Sequence, residues 1–316
     1  MVHPTVCPAA SFDPAADAKA LRKAMKGMGT DEDTIIKILS NRTDQQRQAI
    51  LHAYNRMDDD RNLVKDLKKE LSGHFEDLVL ALLTPLDEFL AQELHDAMAR
   101  MGTNEGDLIE ILCTRDNTSL HAIRQAYLRL YKKDLVKDIK SETSDDFKKL
   151  LVSLCACHRE EGGARTDIAL GLACKLYKAG EGRKGTDEDE IIRILTTYSY
   201  ATLCVVFAEY RLQTGNTLRE VMAQELEGDF KKAMLALYDS IYATPAYFAE
   251  ALNKSMKGFG TSDKTLIRLI VSRCEIDMED IKREYEKIYD KPLGKDIKGD
   301  TSGHYEDLLL ALINYK

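Results

Sequence analysis

The chain is short of the features that mark several large classes of protein. Of its 316 residues only six are proline and none is tryptophan. Val/Thr alternation is sparse and no Asn-Gly hairpin dipeptide occurs, so strand signals are absent. No apolar run approaches the roughly 20 residues that a membrane-spanning helix needs. The segment Met1-Val2-His3-Pro4-Thr5-Val6-Cys7-Pro8 has no basic stretch followed by an apolar one, so it does not read as a secretory signal, and the expected compartment is the cytosol. Lysine and arginine never form a polybasic block. The balance of 45 Lys+Arg against 53 Asp+Glu gives a net charge of −8. That sign argues against attraction to nucleic acid or, without help, to an anionic membrane. The seven cysteines are odd in number and scattered, which is not a disulfide framework. Cys155-Ala-Cys157-His158 looks like half a metal site but has no second half. There is no P-loop, no His-Glu-x-x-His and no Gly-x-Ser-x-Gly. No nucleophile–base pair is apparent, so the chain reads as a non-enzyme.

What the chain does contain is one unit written four times. Four Gly-Thr pairs, Gly29-Thr30, Gly102-Thr103, Gly185-Thr186 and Gly260-Thr261, each begin the same pattern. Aliphatic residues follow at fixed offsets: Ile35, Ile36, Ile38 and Leu39 in the first unit, with counterparts in the other three. A tyrosine comes next (Tyr54, Tyr127, Tyr210, Tyr285), then a carboxylate (Glu70, Glu142, Glu225, Asp300). Aliphatic spacing of three and four puts one apolar stripe on a helix. Each corner threonine is placed to N-cap that helix, and Thr43–Gln46 reads as a capping box for the next one. The expected fold is all-α. The boundaries read as a tail at 1–12, repeat 1 at 13–85, repeat 2 at 86–157, a linker at 158–166, repeat 3 at 167–243 and repeat 4 at 244–316. The polar linker groups the repeats by sequence as 1 with 2 and 3 with 4. Units this small bury their stripes only by stacking on each other.

The repeated chemical feature is a glycine-rich corner with one carboxylate about forty residues on. Glycine lets several carbonyls turn toward one point. Three carbonyls and one bidentate carboxylate make five hard oxygen ligands, short of the 6–8 that Ca²⁺ takes, which leaves room for water or a phosphate. The bland alternative is a tight interhelical turn. Such a turn needs no acid at fixed distance, and four repeats keep one. Asp58–Asn62 imitates an EF-hand opening, but Leu63 and Lys69 stand where Gly and Glu are required. Gly180–Gly185 matches G-x-G-x-x-G without the preceding strand of a nucleotide fold.

Four repeats of about 70 residues with Met-Lys-Gly-x-Gly-Thr corners, the distant carboxylate, and Arg273-Cys-Glu-Ile-Asp277 resemble the annexin family over nearly the whole chain. The resemblance implies five helices per repeat stacked into one curved disc with calcium sites on its convex face. It also implies reversible, calcium-dependent binding to acidic phospholipid, with peripheral attachment when calcium rises and self-association on the membrane. Carried over by position, the calcium ligands are the carbonyls of Met25, Gly27 and Gly29 with Glu70, and of Met98, Arg100 and Gly102 with Glu142. The third set is Gly180, Arg183 and Gly185 with Glu225, and the fourth Met256, Gly258 and Gly260 with Asp300. Arg100 stands where the family has glycine, and Asp145 where Ser-Gly is usual. Thr30 and Glu32 match a secondary metal site. Some relatives carry a tryptophan near Lys184; its absence here points to electrostatic contact. Glu93, Glu110, Arg115 and Arg273 match a central polar axis, with Leu90 in place of an expected Asp. Two rival readings stand beside this one: a calcium-independent helical scaffold, and a voltage-dependent calcium channel.

Overall fold

A computed structural model describes residues 2–27, 29–58, 61–99, 102–258 and 260–315. Among these residues there are twenty helices and no strand, which bears out the all-α expectation and the five helices per repeat. Repeat 1 comprises α1 (Pro14–Ala24), α2 (Glu32–Leu39), α3 (Asp44–Asn55), α4 (Leu63–Glu70) and α5 (Gly73–Leu83). Repeat 2 comprises α6 (Leu86–Ala99), α7 (Glu105–Cys113), α8 (Asn117–Tyr131), α9 (Leu135–Glu142) and α10 (Asp145–Cys155). Repeat 3 comprises α11 (Thr166–Ala179), α12 (Glu188–Thr197), α13 (Tyr200–Thr214), α14 (Leu218–Glu225) and α15 (Gly228–Tyr242). Repeat 4 comprises α16 (Thr244–Met256), α17 (Asp263–Arg273), α18 (Met278–Tyr289), α19 (Leu293–Asp300) and α20 (Gly303–Leu312).

The aliphatic stripes form the core. Every residue at the four repeated offsets of α2, α7, α12 and α17 is buried, and so are the four repeated tyrosines. Removal of this much apolar surface from water is the main favourable term in the fold. Thr43 and Gln46 form the expected capping box at α3, and Thr217 with Glu220 forms another at α14.

The corner threonines are a correction. They do not cap the second helices. The N-cap is the next residue: the side chains of Asp31, Asn104 and Asp187 accept from backbone N–H groups of α2, α7 and α12, and Ser262 holds the equivalent position in repeat 4. Asp31 and Asn104 are as able as threonine to cap. The path of the glycine corner decides which of two neighbours arrives at the helix axis.

The chain divides into two compact units, residues 1–89 with 248–316 and residues 90–247. Repeat 1 is therefore grouped with repeat 4, and repeat 2 with repeat 3, whereas the linker suggested 1 with 2 and 3 with 4. In the first unit α2 packs on α20, α17 on α5, and α5 on α20. In the second α7 packs on α15, α12 on α10, and α10 on α15. Each unit thus uses one reciprocal scheme, the second helix of one repeat against the fifth of its mate. The stretch expected to be a linker is docked within the second unit. The Glu160 N–H donates to the Thr197 carbonyl (2.6 Å), and Arg159 donates to the Tyr198 carbonyl (2.8 Å) and lies over the Tyr200 ring.

The first unit carries the N-terminal segment as a strap. The N–H groups of Thr5 and Val6 donate to the Cys274 carbonyl (2.9 and 3.0 Å), and the Thr5 hydroxyl donates to the Leu312 carbonyl (2.6 Å). Gln46 exchanges hydrogen bonds with the backbone of Ala9. A charge pair between a buried arginine and a half-buried glutamate ties the same unit together: Arg47 donates to Glu275 (2.6 Å) and to the Leu82 carbonyl (2.8 Å). Burial pushes the Glu275 carboxyl up, against the pull of Arg47.

Candidate functional site: four helix corners and their carboxylates

Each corner joins the first helix of a repeat to the second, and all four close with the same backbone clamp. The N–H groups of Asp31, Asn104, Asp187 and Ser262 donate to the carbonyls of Ala24, Ala97, Ala179 and Ser255, at 2.7–2.9 Å. In repeat 3 the clamp spans one more residue, so the longer corner bulges inside an unchanged anchor. The glycine before each threonine has φ between 81° and 94° in all four corners. A residue with a Cβ is strained there, so the shape of the corner is what requires glycine. Gly27 and Gly258 share a second positive φ (118° and 125°). Gly180 differs: its φ is −116°, and its carbonyl accepts from Arg183 N–H in a turn (3.1 Å). Met25 and Gly180 cap α1 and α11, while Met98 and Met256 lie at the ends of α6 and α16. Arg100 lies outside the described residues.

The four carboxylates occupy one structural position. Glu70, Glu142, Glu225 and Asp300 are the last residues of the eight-residue helices α4, α9, α14 and α19, and all four are exposed. The extra residue of repeat 1 precedes α4, so Glu70 keeps the register. A carboxylate at a helix C-terminus faces the negative end of the helix dipole, where a cation is favoured. The corner threonines, freed from capping, bridge to this position. Thr30 donates to the Glu70 carboxylate (3.0 Å); Thr103 and Thr261 donate to the carbonyls of Glu142 (3.3 Å) and Asp300 (3.2 Å). Glycine follows three residues after the carboxylate, at the start of α5, α15 and α20, with φ near 62°. Asp145 takes that place in repeat 2 with φ 50°, so the chain keeps its path despite the substitution.

Beneath each site lies a buckle that the sequence reading missed. The repeated tyrosine donates to an acid: Tyr54 to Asp66 (2.9 Å), Tyr127 to Asp138 (2.7 Å), and Tyr285 to Asp296. These acids sit one helical turn before the terminal carboxylate, a spacing of four visible in the sequence. In repeat 3 that place is Val221, and Glu181 from the longer corner accepts from Tyr210 instead (2.6 Å). Burial and then the acid push the Tyr54 phenol up to about 12, and raise Tyr127, Tyr210 and Tyr285 likewise. Burial pulls the Asp66 carboxyl up, but hydrogen bonds from Tyr54 and Arg61 outweigh it and hold it below its ordinary range.

Within each unit two carboxylates share one acid-lined cleft. Glu70 and Asp300 line one of about 440 Å³, with Glu32 and Asp263. Glu142 and Glu225 line one of about 500 Å³, with Asp145, Glu188 and Asp229. Among the described residues no group of three or more His, Cys, Asp or Glu side chains is arranged to hold a metal. A metal here would therefore draw on backbone oxygen and one carboxylate per site. Such an all-oxygen donor set with a single formal charge fits Ca²⁺ and does not suit a thiophilic metal.

The axis residues divide between the units. Glu93, Glu110 and Arg115 are buried in the second. Arg273, in the first, is matched within its own repeat: it donates twice to Asp277 (2.8 and 2.5 Å) and lies 4.3 Å over the Phe248 ring. Among the described residues no helix is long and apolar enough to cross a membrane.

Comparison with known proteins accounts for the fourfold design. The Annexin family profile matches residues 16–82, 89–154, 173–237 and 247–312. Human annexin A11 is 45% identical over 312 residues, 98% of this chain, and the chain spans 61% of that relative's length. Mouse annexin A4 is 46% identical over 98% of this chain and 97% of its own. Among solved structures, annexin III superposes with a TM-score of 0.95 at 44% identity, covering 98% of this chain and 97% of its own. A calcium-bound annexin (Sm)1 superposes at 0.92 with 33% identity, over 99% and 93%. The chain belongs to the annexin family.

Proposed function

We propose that the chain binds acidic phospholipid membranes reversibly when calcium is present, as a binding protein rather than an enzyme. The observation that carries this reading is the repetition of one arrangement. Four exposed carboxylates stand at the negative ends of four short helices, and in three repeats the corner threonine bonds to that same residue, to the side chain of Glu70 and to the backbone carbonyls of Glu142 and Asp300. Nothing in the packing of a turn calls for an acid there, and the helix dipole opposes it. A cation reverses that penalty.

Glu70, Glu142, Glu225 and Asp300 would supply the charged ligands. The carbonyls of Met25, Gly27 and Gly29, of Met98, Arg100 and Gly102, of Arg183 and Gly185, and of Met256, Gly258 and Gly260 would supply the neutral ones. Gly180 is the weakest member, since its carbonyl is already engaged. Thr30 and Glu32 would add a secondary site in repeat 1. Bound calcium presents positive charge to a lipid phosphate, which completes its oxygen shell. One carboxylate per site keeps affinity low without lipid, so membrane and ion each strengthen the other's binding. The protein then stays in the cytosol at resting calcium and becomes peripheral on membranes when calcium rises.

Sedimentation with phosphatidylserine vesicles tests this. The protein should pellet in calcium and return to the supernatant on chelation. Pelleting that survives chelator would favour the calcium-independent scaffold and reject the proposal.

A further inference from the structure

The carboxylate helix of repeat 4 is built differently from its three counterparts. α4, α9 and α14 each begin with a side chain that caps them, from Asn62, Asp134 and Thr217. Pro292 holds that place before α19 and supplies no side-chain cap. α19 also contains two glycines, Gly294 and Gly299, where the other three helices contain none. A glycine inside a helix lowers the helix-forming equilibrium about fivefold relative to alanine, and a helix of eight residues needs outside support in any case. The last residue of α19 is Asp300, one methylene shorter than Glu70, Glu142 and Glu225. Its shorter reach leaves less tolerance in where the helix ends.

The support comes from α20. That helix ends in a Schellman turn. Asn314 is left-handed (φ 51°), its N–H donates to the Ala311 carbonyl (3.1 Å), and the Tyr315 N–H donates to the Leu310 carbonyl (2.9 Å). The turn brings the Tyr315 ring onto Gly294, where an added Cβ would overlap it. Gly294 is thus a socket, which accounts for a glycine that weakens its own helix. One turn on, the Lys298 ammonium lies 5.3 Å from the ring centroid, a cation–π contact. α20 packs against α2, α5 and α17, so the ring ties α19 to the core of its unit. The other repeats lack this clasp. The places of Gly294 and Tyr315 hold Val64 and Pro85 in repeat 1, Val136 and Cys157 in repeat 2, and Arg219 and Ser240 in repeat 3. The tyrosine buckle at Asp296 is shared with repeats 1 and 2, so it does not make up for what α19 lacks.

We propose that Tyr315 is a positioning residue for the repeat 4 calcium site: its clasp on Gly294 and Lys298 stands in for the missing cap and holds Asp300 in place at the end of α19. The inference rests on the calcium reading for the ion, though not for the clasp. Apparent affinity scales with the fraction of molecules in which a site is formed. Loss of the clasp therefore weakens the repeat 4 site and leaves the other three corners as they were.

Amide hydrogen exchange of the full chain, read by mass spectrometry, tests this repeat by repeat. Without calcium, Tyr315→Ala should speed exchange in α19 at least about threefold, with α4, α9 and α14 unchanged. With phosphatidylserine vesicles, the calcium midpoint for protection of α19 and its corner should rise about three- to tenfold, while the midpoints at the other three corners stay. Tyr315→Phe keeps the ring and should behave as the wild type. Gly294→Ala, added to Tyr315→Ala, should bring the repeat 4 midpoint back toward the wild type, because alanine restores helix propensity once no ring fills the socket. A structural role unconnected with α19 would not be rescued in this way. Should melting show Tyr315→Ala unfolded, Tyr315→Leu replaces it with the same expectations. Unchanged exchange in α19, an unmoved repeat 4 midpoint, or an equal shift at all four corners overturns the inference. A wild type that shows calcium protection at no corner would instead reject the calcium reading, and with it the role of the clasp in holding a ligand.

Discussion

At the scale of single residues, the corner threonine shows how one side chain can be misread. Threonine followed by Asp31 or Asn104 offers two adjacent caps, and composition does not choose between them. The choice follows from the positive φ of the preceding glycine, which only the folded corner reveals. The freed hydroxyl then joins the corner to the carboxylate helix. Asp145 illustrates the opposite case, a departure visible in the sequence whose consequence is small. It holds φ 50° where its counterparts are glycine. Asp145→Gly should raise stability by about 0.5–1 kcal/mol by relieving a left-handed aspartate, read as a higher melting temperature. An unchanged or lower value would mean that the Asp145 side chain contributes something the backbone does not show.

At the scale of elements, the short fourth helix of each repeat is the decisive piece. The terminal carboxylates were legible from their regular distance to the corner. The tyrosine–acid buckle beneath them was not singled out, although three of its four acids recur four residues earlier. Repeat 3 hid the rule, because Val221 breaks it and Glu181 replaces it from another element. That replacement is testable. A double-mutant cycle between Tyr210→Phe and Glu181→Gln should show coupling of about 1 kcal/mol or more, as for a hydrogen bond to a charged group. Tyr210 with Val221→Asp should gain none without Glu181→Gln.

The buckles also fix a pH response. Tyr54 titrates in the unfolded chain near 10 and in the folded one at about 12. Its contribution to stability is therefore full below pH 10 and is lost as pH rises toward 12. Asp66 has the opposite sign: its folded value is depressed, so its contribution is present above the unfolded value and is lost as pH falls through the folded one. Spectrophotometric titration should show the four buckle tyrosines ionising only together with alkaline unfolding. Ionisation of all the tyrosines before any loss of helical signal would contradict the buckle. The dipole argument makes a third prediction at this scale. Glu225→Gln should stabilise the calcium-free protein by about 0.3–1 kcal/mol while weakening its response to calcium. Destabilisation would mean that the carboxylate is structural.

At the scale of the whole molecule, the four repeats were plain in the sequence because their stripes and corners keep strict offsets. Their partners were not. The repeats carry the same stripe, so periodicity cannot say which mate a given stripe meets, and the polar stretch at 158–166 suggested the wrong grouping. The reciprocal packing of second on fifth helices pairs repeat 1 with 4 and 2 with 3. That pairing places Glu70 beside Asp300, and Glu142 beside Glu225, in shared acid-lined clefts. The net charge of −8 takes on meaning here. An acidic surface repels an anionic membrane, and four bound calcium ions would add 4 × 2 = 8 positive charges, formally cancelling the deficit. On the proposed function, the acidic balance that seemed to exclude a membrane would be half of a calcium switch.

The most direct test is a calcium titration of vesicle sedimentation, comparing the wild type with a chain carrying Glu70→Gln, Glu225→Gln and Asp300→Asn together. The midpoint should move to at least about tenfold higher calcium, since each lost carboxylate removes the only charged ligand of its site. Melting should show the variant folded. A folded variant whose calcium midpoint is unchanged would contradict the assignment of these helix-end carboxylates as the calcium ligands.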